Sequence, residues 1–311
     1  MLPLPSYRQR RHKTWLYGLV AVAATATLLA SGCARPGPAP AGGRDPGVGP
    51  VPPAGAGQPG VLLRTADLRL PLDTYLLSIA ESARLARASR ILLRQCVAGF
   101  GLDYATPDPA AVGPRTWNER RYGLTDPDQA ARGYWPRDRT VPPRPRHAAV
   151  TAAVTAVVTG TGSPTVHGRP VPSGGCTAQA YRQLTANDPP GADRYLAQRL
   201  SSDSFFASRQ DQPVRAATSA WSACLRAAGH PYPTPLDPPQ DSRFQGPVAT
   251  PLEIATATAD VTCKRRTNLV GAWYADETGR QRALIAANLP ALQRARAAFD
   301  AELAVAANTG V

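Results

Sequence analysis

The sequence predicts a mainly α-helical domain, cross-linked by disulfides and carrying long irregular loops, that follows a signal peptide and a disordered tether. Three observations lead to this fold class. Apolar residues recur at helical spacing in several segments after residue 70. Four cysteines lie in the same part of the chain, an even number that suits disulfide pairing. Residues 34–61 consist largely of Pro, Gly and Ala, and so offer little that a core could bury.

The first 32 residues have the layout of an export signal. A basic segment is followed by residues 15–30, which are uncharged, mostly apolar and too few for a permanent membrane span. The run ends in LASGC, in which small residues precede Cys33. This ending resembles the bacterial lipoprotein box, although Ala30 stands where that box most often has Leu. The alternatives are an ordinary signal peptide and an uncleaved anchor.

The resemblance to the lipoprotein box implies that Cys33 carries fatty acids such as palmitate and becomes the mature N-terminus. The protein would then be exported and held by lipid on the outer face of the cytoplasmic membrane. The predicted organisation is a signal peptide over residues 1–32, a lipid anchor and tether over 33–61, and an extracytoplasmic helical domain over 62–311. Two halves of that domain, about 62–185 and 186–311, each contain one copy of a cysteine motif.

The chain of 311 residues has a formal net charge of +13, nearly all of it from arginine, since Lys13 and Lys264 are the only lysines. Removing the signal takes away four positive charges and leaves +9. This charge favours anionic lipid or wall polymers as partners. A GC-rich genome would encode the same excess of arginine. Beyond the N-terminus there is no basic run, and we expect no nucleic-acid partner.

A twelve-residue pattern, C-x4-G-x2-Y-x-T-P, occurs twice and marks the ends of two predicted helices. The matching residues are Cys96, Gly101, Tyr104, Thr106 and Pro107, and then Cys224, Gly229, Tyr232, Thr234 and Pro235. In each copy the Cys lies in the last helical turns, the Gly can take the positive φ that ends a helix, and the X-Pro segment continues as an extended chain. The pattern therefore predicts structure and contains no reactive centre.

Cys96, Cys176, Cys224 and Cys263 are predicted to form two disulfides. Four cysteines allow three pairings. We favour Cys96–Cys176 and Cys224–Cys263, since each bond then joins a motif cysteine to the next cysteine along the chain. A zinc site is disfavoured because the cysteines lie 80, 48 and 39 residues apart, far from metal-ligand spacing. We expect no metal and no other cofactor.

The first half begins with one predicted helix over residues 72–99, which ends in Gly99 and Gly101. Residues 104–145 are predicted to be irregular, with at most one helical turn near residues 126–131. Four aromatic residues are available to hold this segment in place, namely Trp117, Tyr122, Tyr134 and Trp135.

Residues 148–158, AAVTAAVTAVV, leave two interpretations open, because Ala favours a helix whereas Val and Thr favour a strand. Residues 159–175 predict a loop or a short hairpin.

From Cys176 onward, the pattern of apolar residues is helical. Helices are predicted over residues 176–185, 193–210 and 213–228. The last of these carries Trp221 and Cys224 on its apolar face, and we therefore expect Trp221 to be buried.

The clearest helix start is at Thr250, where Pro251 and Glu253 complete a capping box. The helix that follows has apolar residues on two sides, which predicts a central position. Beyond it, one apolar residue recurs every seven positions, at Ile285, Leu292, Phe299 and Ala306. Pro290 is expected to kink or interrupt this last stretch.

Several stretches of the folded part are sequence motifs of moderate specificity. They are CVAGFG, RRYGLTD, VPSGGC, AATSAWSACLRAAGHPYPTP, DSRF, EIATATADVTCKRRTNLV and QRALIAANLPAL. On these stretches the chain, from about residue 70 onward, resembles a family of uncharacterised secreted proteins and lipoproteins of actinobacteria. The resemblance implies an exported, disulfide-bonded, helical domain. It supplies no catalytic residues, because no activity is established for that family.

Common catalytic signatures are missing from the sequence, which has no GxSxG, HExxH, SxxK or phosphate-binding glycine loop. Glu253 and Asp260 would share a helix face about 10 Å apart, a separation at which two carboxylates can cleave a glycosidic bond. The simpler interpretation assigns Glu253 to the helix cap and Asp260 to an ion pair with Lys264 or Arg265 on the flank of the helix.

Two further groups have ordinary interpretations. The basic residues 264–266 could hold an anion, but a solvated basic turn is the simpler interpretation. Three histidines are scattered along the chain, and we interpret them as surface residues; they are His147, His167 and His230.

Two classes of function remain. The favoured one is a lipid-anchored, non-enzymatic binding module of the cell envelope whose protein partner is unknown. The alternative is an envelope hydrolase whose acidic residues come from distant segments. A shallow surface rich in arginine or aromatic residues would favour the first, and a deep pocket with two acids, or with an acid and His230, the second.

Overall fold

The computed structural model describes residues 60–62, 64–66, 68–104, 116–136 and 151–310, and these form a mainly α-helical domain. The eight α-helices of the described residues are α1 Ile79–Ala98, α2 Pro127–Ala130, α3 Ala152–Thr159, α4 Gly175–Leu184, α5 Leu196–Ser208, α6 Gln212–Ala227, α7 Pro251–Arg266 and α8 Leu269–Ala307. Short 3-10 helices occur at Pro71–Tyr75, Pro238–Gln240 and Ser242–Phe244. Among the helices described, none has the length and apolar character to cross a membrane.

The predicted first helix is two elements. A 3-10 helix, Pro71–Tyr75, ends at Leu76 in extended backbone, and α1 begins after Ser78. The hydroxyl of Ser78 accepts from the N–H of Glu81, and the Glu81 carboxylate accepts from the N–H of Ser78 over 2.7 Å. This capping box fixes the start of α1 and explains why a single helix does not form.

The ambiguous segment is helical where the structure describes it, as α3, and Thr151 caps it by accepting from the N–H of Val154. A two-stranded antiparallel hairpin follows, with β1 at Thr165–Val166 and β2 at Arg169–Pro170. Gly160 caps the C-terminal end of α3, and Gly175 is the first residue of α4. The backbones of these two glycines are in direct contact. A Cβ on either glycine would lie 2.4 Å from the other's nitrogen, so no larger residue fits.

Both disulfides join neighbouring helices in the favoured pairing. Cys96 of α1 is bonded to Cys176 of α4, and Cys224 of α6 to Cys263 of α7, each with a Cα–Cα distance of 5.7 Å. The glycines of the duplicated motif adopt the predicted positive φ, +70° at Gly101 and +87° at Gly229. Both copies of the motif therefore end their helices as predicted where the structure describes them.

The central helix of the domain is α8, whereas the sequence pattern predicted a central position for the helix that begins after Thr250. α8 contacts α1, α4, α5, α6, α7 and the 3-10 helix Pro71–Tyr75. Asn268, at φ +50°, separates α7 from α8, so the two do not continue as one helix. The predicted interruption at Pro290 does not occur, since α8 continues through it, and Ile285 and Leu292 on either side of the proline pack in one apolar cluster. Trp221 is fully buried, as predicted.

The irregular segment 116–136 joins the two cysteine-motif halves. Tyr122 packs with Trp221 and Trp273, and Tyr134 packs with Phe244 and Val261. Both tyrosines are fully buried, whereas two tryptophans of the segment are exposed. The described parts of the two halves therefore share a core.

Candidate functional site

The predicted carboxylate pair does not form an open site. Glu253 and Asp260 are both fully buried. Thr250 caps α7 as predicted, but the carboxylate of Glu253 extends to the segment 116–136 and accepts from the N–H of Tyr134 over 2.8 Å. It lies directly against Gly133, where a Cβ would come within 2.5 Å of Oε1. Glu253 therefore fixes the fold of a loop.

Asp260 accepts three hydrogen bonds inside the core. The donors are Lys264 Nζ and Trp221 Nε1, each at 2.9 Å, and the Tyr134 hydroxyl at 3.2 Å. Lys264 is 2% exposed and also donates to the carbonyl of Leu124 over 2.9 Å. The predicted ion pair between Asp260 and Lys264 is present, but the predicted solvated basic turn is wrong at this lysine, which is buried. Burial raises the pKa of Asp260 and lowers that of Lys264.

Glu277 is the centre of a second buried network that the sequence did not reveal. Its Oε2 accepts from the Tyr122 hydroxyl over 2.8 Å, and its Oε1 accepts from Ser204 Oγ over 3.0 Å. Arg121 Nε lies 3.0 Å from both carboxylate oxygens, and Gln281 Nε2 donates to Oε1 over 3.2 Å. Burial is the main cause that raises the pKa of Tyr122. The hydrogen-bond partners of this carboxylate all lie inside the protein, which indicates a structural role for Glu277.

The histidines do not assemble with acids in the hydrogen bonds of the described residues. His230 Nδ1 bonds to the hydroxyl of Thr256 over 3.0 Å, and His167 Nδ1 bonds to the carbonyl of Phe100 over 2.8 Å. His147 and Cys33 lie outside the described residues. Within the described ranges no group of three or more His, Cys, Asp or Glu side chains could hold a metal ion.

One acidic pair from distant segments is partly accessible to solvent, with side-chain exposures of 27% for Asp211 and 18% for Asp276. Asp211 precedes α6 and Asp276 lies in α8, and Arg280 forms ion pairs with both. Burial, and next the Asp211 carboxylate, raise the pKa of Asp276 to about 6. The pKa of Asp211 is lowered, although its burial opposes this, because Arg280 donates to it. Neither acid lines a described cavity.

A cavity of about 790 Å³ forms an open groove along the outer face of α6. The opposite face of this helix is packed into the core through Ala217, Trp221 and Leu225. The far wall is the turn that contains Thr234 and Pro235 of the cysteine motif. The disulfide at Cys224 and the buried bond of Trp221 hold the helix, so the groove is rigidly supported.

Three arginines line the groove. They are Arg209, Arg215 and Arg226, and the described lining contains no acidic residue. Ion pairs elsewhere in the described residues are made by other arginines and by Lys264. Arg215 and Arg226 are eleven residues apart, which places them on one face of the helix at a separation of about 16 Å. The groove is therefore an extended cationic surface.

Hydroxyl and amide groups fill the space between the arginines. Gln212, Thr218, Ser219 and Ser222 line the groove along α6. Across from them, Oγ1 of Thr234 is buried without a hydrogen-bond partner among the described residues. Hydrogen-bonding groups flanked by cations fit a polar anionic ligand.

No protein-family model, curated protein or solved structure shows a significant match to the chain. The resemblance to actinobacterial secreted proteins and lipoproteins therefore stays a prediction from the sequence.

Proposed function

We propose that this chain is a lipid-anchored extracytoplasmic protein of the cell envelope that binds an anionic wall polymer and is not an enzyme. The observation that carries the proposal is the row of arginines along the α6 groove, with no acidic residue in the described lining. Such a surface attracts repeated negative charge, because each guanidinium can pair with one phosphate or carboxylate.

The shape of the groove favours a polymer over a small anion. It extends from Gln212 to Arg226 along the helix, a length of about 21 Å, and it is open to solvent. Because Arg215 and Arg226 are about 16 Å apart along the helix, a single phosphate could not engage both. A linear phosphodiester chain could pass all three in turn and hydrogen-bond to the hydroxyl groups between them.

The predicted tether and lipid at Cys33 support this location. Lipid on Cys33 would hold the domain at the outer face of the membrane, and residues 34–61 would give it reach toward the wall. The two disulfides fit an oxidising compartment outside the cytoplasm. Cys33→Ala should abolish lipid labelling of the protein, and mass spectrometry that finds an unmodified Cys33 in the membrane-extracted protein would reject the anchor.

Binding is tested with purified poly(glycerol phosphate) and the variant Arg215→Gln/Arg226→Gln. The matched control is Arg265→Gln/Arg266→Gln, which removes the same charge from two exposed arginines outside the groove. We expect the groove variant to lose most binding and the control to keep it, and the affinity of the unaltered protein to fall as salt rises. Equal losses in both variants would show attraction by net charge alone.

Vesicles of phosphatidylglycerol form the second arm of that experiment. The proposal requires that the groove variant and the control bind such vesicles equally. A loss specific to the groove variant on vesicles, with no binding of the polymer, would instead make the groove a site for lipid headgroups.

The second candidate function, an envelope hydrolase, draws on the acidic pair of Asp211 and Asp276. A carboxyl group with a pKa of about 6 beside one with a lowered pKa is an arrangement found in acid–base catalysis. The pair is disfavoured because Arg280 occupies it and no described cavity opens onto it. Release of soluble fragments from wall material, abolished by Asp276→Asn, would establish the hydrolase and overturn the non-enzymatic proposal.

A further inference from the structure

Trp117 is an exposed tryptophan that is nevertheless fixed in place. Its side chain is 56% exposed. Its indole Nε1–H donates a hydrogen bond to the carbonyl of Leu77 over 2.8 Å. The ring therefore has a defined orientation and presents apolar surface to solvent, which is the property of an aromatic binding platform.

Two cavities meet at this tryptophan. One has a volume of about 490 Å³ and the other about 510 Å³, and both are lined by Asp73, Leu76, Leu77 and Trp117. Each volume lies within the range of roughly 300–1,000 Å³ that is usual for small-molecule sites. Trp117 thus forms a shared wall between two adjoining compartments.

The charged groups of both cavities are balanced. In the first, Glu81 is paired with Arg296 over 2.7 Å, and Arg69 lies in the same lining as Asp73. Arg296 holds the pKa of Glu81 at about 2, so this carboxyl group stays ionised.

In the second cavity, Arg121 and Arg194 are paired with the buried carboxylates of Glu277 and Glu302. Asp73 accepts a hydrogen bond from Asn118 over 2.7 Å. These cavities differ in this respect from the α6 groove, whose described lining contains no acidic residue. They suit a neutral ligand.

Hydrogen-bonding side chains surround the tryptophan. Thr74, Ser78 and Thr116 line the first cavity, and Ser82, Gln198 and Ser202 line the second. Tyr195, which is largely exposed, adds a second exposed aromatic ring to the second cavity. Polar groups around exposed aromatic rings fit a ligand that has many hydroxyl groups and also an apolar face.

We propose that the two cavities at Trp117 bind neutral sugar rings of an oligosaccharide, with Trp117 between successive rings. A pyranose carries polarised C–H groups on one face, and these pack against the negatively charged face of an indole. Its hydroxyl groups can bond to the surrounding amides and hydroxyls. A proline-rich peptide is less favoured, because the Trp117 N–H already donates to Leu77 and cannot donate to a peptide carbonyl.

The test uses the full chain in detergent and N-acetylglucosamine tetrasaccharide as the probe. Calorimetry should detect binding, and the tetrasaccharide should shift the indole N–H signal of Trp117 in the NMR spectrum. Trp117→Ala should weaken binding about tenfold or more. Trp117→Phe retains an aromatic face and should retain part of the affinity, which a general loss of folding would not allow.

Trp135→Ala is the matched control, because Trp135 is also exposed and lines neither cavity. It should bind the tetrasaccharide like the unaltered chain. The proposal is overturned if no binding is detected, if Trp117→Ala and Trp135→Ala behave alike, or if a proline-rich peptide shifts the Trp117 signal and the sugar does not. None of these results bears on the arginine groove, which is tested with a different probe.

Discussion

The indole N–H of Trp221 donates a hydrogen bond to Oδ1 of Asp260 over 2.9 Å, and this bond joins α6 to α7 inside the core. Both residues are fully buried. The cysteines at positions 224 and 263 link the same two helices covalently. The helix that carries the arginine groove is therefore held by a disulfide, a buried hydrogen bond and apolar packing together.

Replacement of Trp221 should separate the contributions of volume and hydrogen bonding. Trp221→Ala leaves a large cavity and should lower the free energy of unfolding by about 3–5 kcal/mol. Trp221→Phe leaves a smaller cavity but removes a donor from Asp260, a loss of about 1–3 kcal/mol. Urea denaturation monitored by circular dichroism measures both, and an unchanged midpoint in Trp221→Ala would contradict this account of the core.

Local patterns in the sequence were sufficient for most of the helices and, together with the order of the cysteines, for both disulfides. The start of α7 at Thr250 and the positive φ of Gly229 depend on a few adjacent residues, and such signals are readable without the fold. The pairing of Cys224 with Cys263 followed from their order along the chain and from the chain reversal between two helices. These local signals give the helical class and the cross-links, but they do not show that α8 is the central helix or that it continues through Pro290.

The buried polar networks could not be predicted in this way. Glu277 is paired with Arg121, which lies 156 residues earlier, and nothing near either residue indicates the other. The sequence predicts a solvated Lys264 because basic residues at a helix end are usually exposed, but its ammonium group donates to the carbonyl of Leu124 and to the carboxylate of Asp260. The same limit applies to Trp117, since its exposure is set by packing and not by its neighbours in sequence.

Removal of the ammonium group of Lys264 should strongly destabilise the domain. Lys264→Met leaves Asp260 buried without its cation, and breaking a buried ion pair from one side costs about 3–5 kcal/mol. Burial raises the pKa of Asp260, and Lys264 opposes that rise. The folded state of the variant should therefore be less stable at pH 8 than at pH 5, where the carboxyl group can be protonated. Arg265→Met, at the exposed neighbouring position, serves as the control and should change stability little.

Each disulfide should contribute a large share of the stability. Loops of 39 and 80 residues correspond to about 4 kcal/mol per bond by the chain-entropy model, against a total of about 5–15 kcal/mol for a typical domain. Cys224→Ala/Cys263→Ala should therefore lower the denaturation midpoint and also weaken polymer binding, since it loosens α6. Cys96→Ala/Cys176→Ala should lower the midpoint while polymer binding of the folded fraction persists. If both double variants weakened polymer binding equally, the loss could not be attributed to the loosening of α6.

The stability of the folded state should fall between mildly acidic and mildly basic pH because of Glu302. This residue is 2% exposed and lies beside Arg194 and Asp188. Burial raises its pKa from 4.5 to about 7, even though Arg194 Nη2 donates to Oε2 over 2.6 Å. The other oxygen, Oε1, is buried without a hydrogen-bond partner among the described residues.

The sign of the effect follows from proton uptake. A carboxyl group with a raised pKa binds its proton more tightly in the folded state than in the unfolded state, so its contribution to stability is complete below pH 4.5 and is lost as the pH rises through about 7. Glu302→Gln mimics the protonated form and should remove this part of the pH dependence, leaving the variant comparatively more stable at pH 8. Denaturation midpoints measured from pH 5 to pH 8 test this, with Asp300→Asn, two residues away on the exposed face of α8, as the control. Parallel pH profiles for the unaltered chain and Glu302→Gln would show that Glu302 does not titrate in this range.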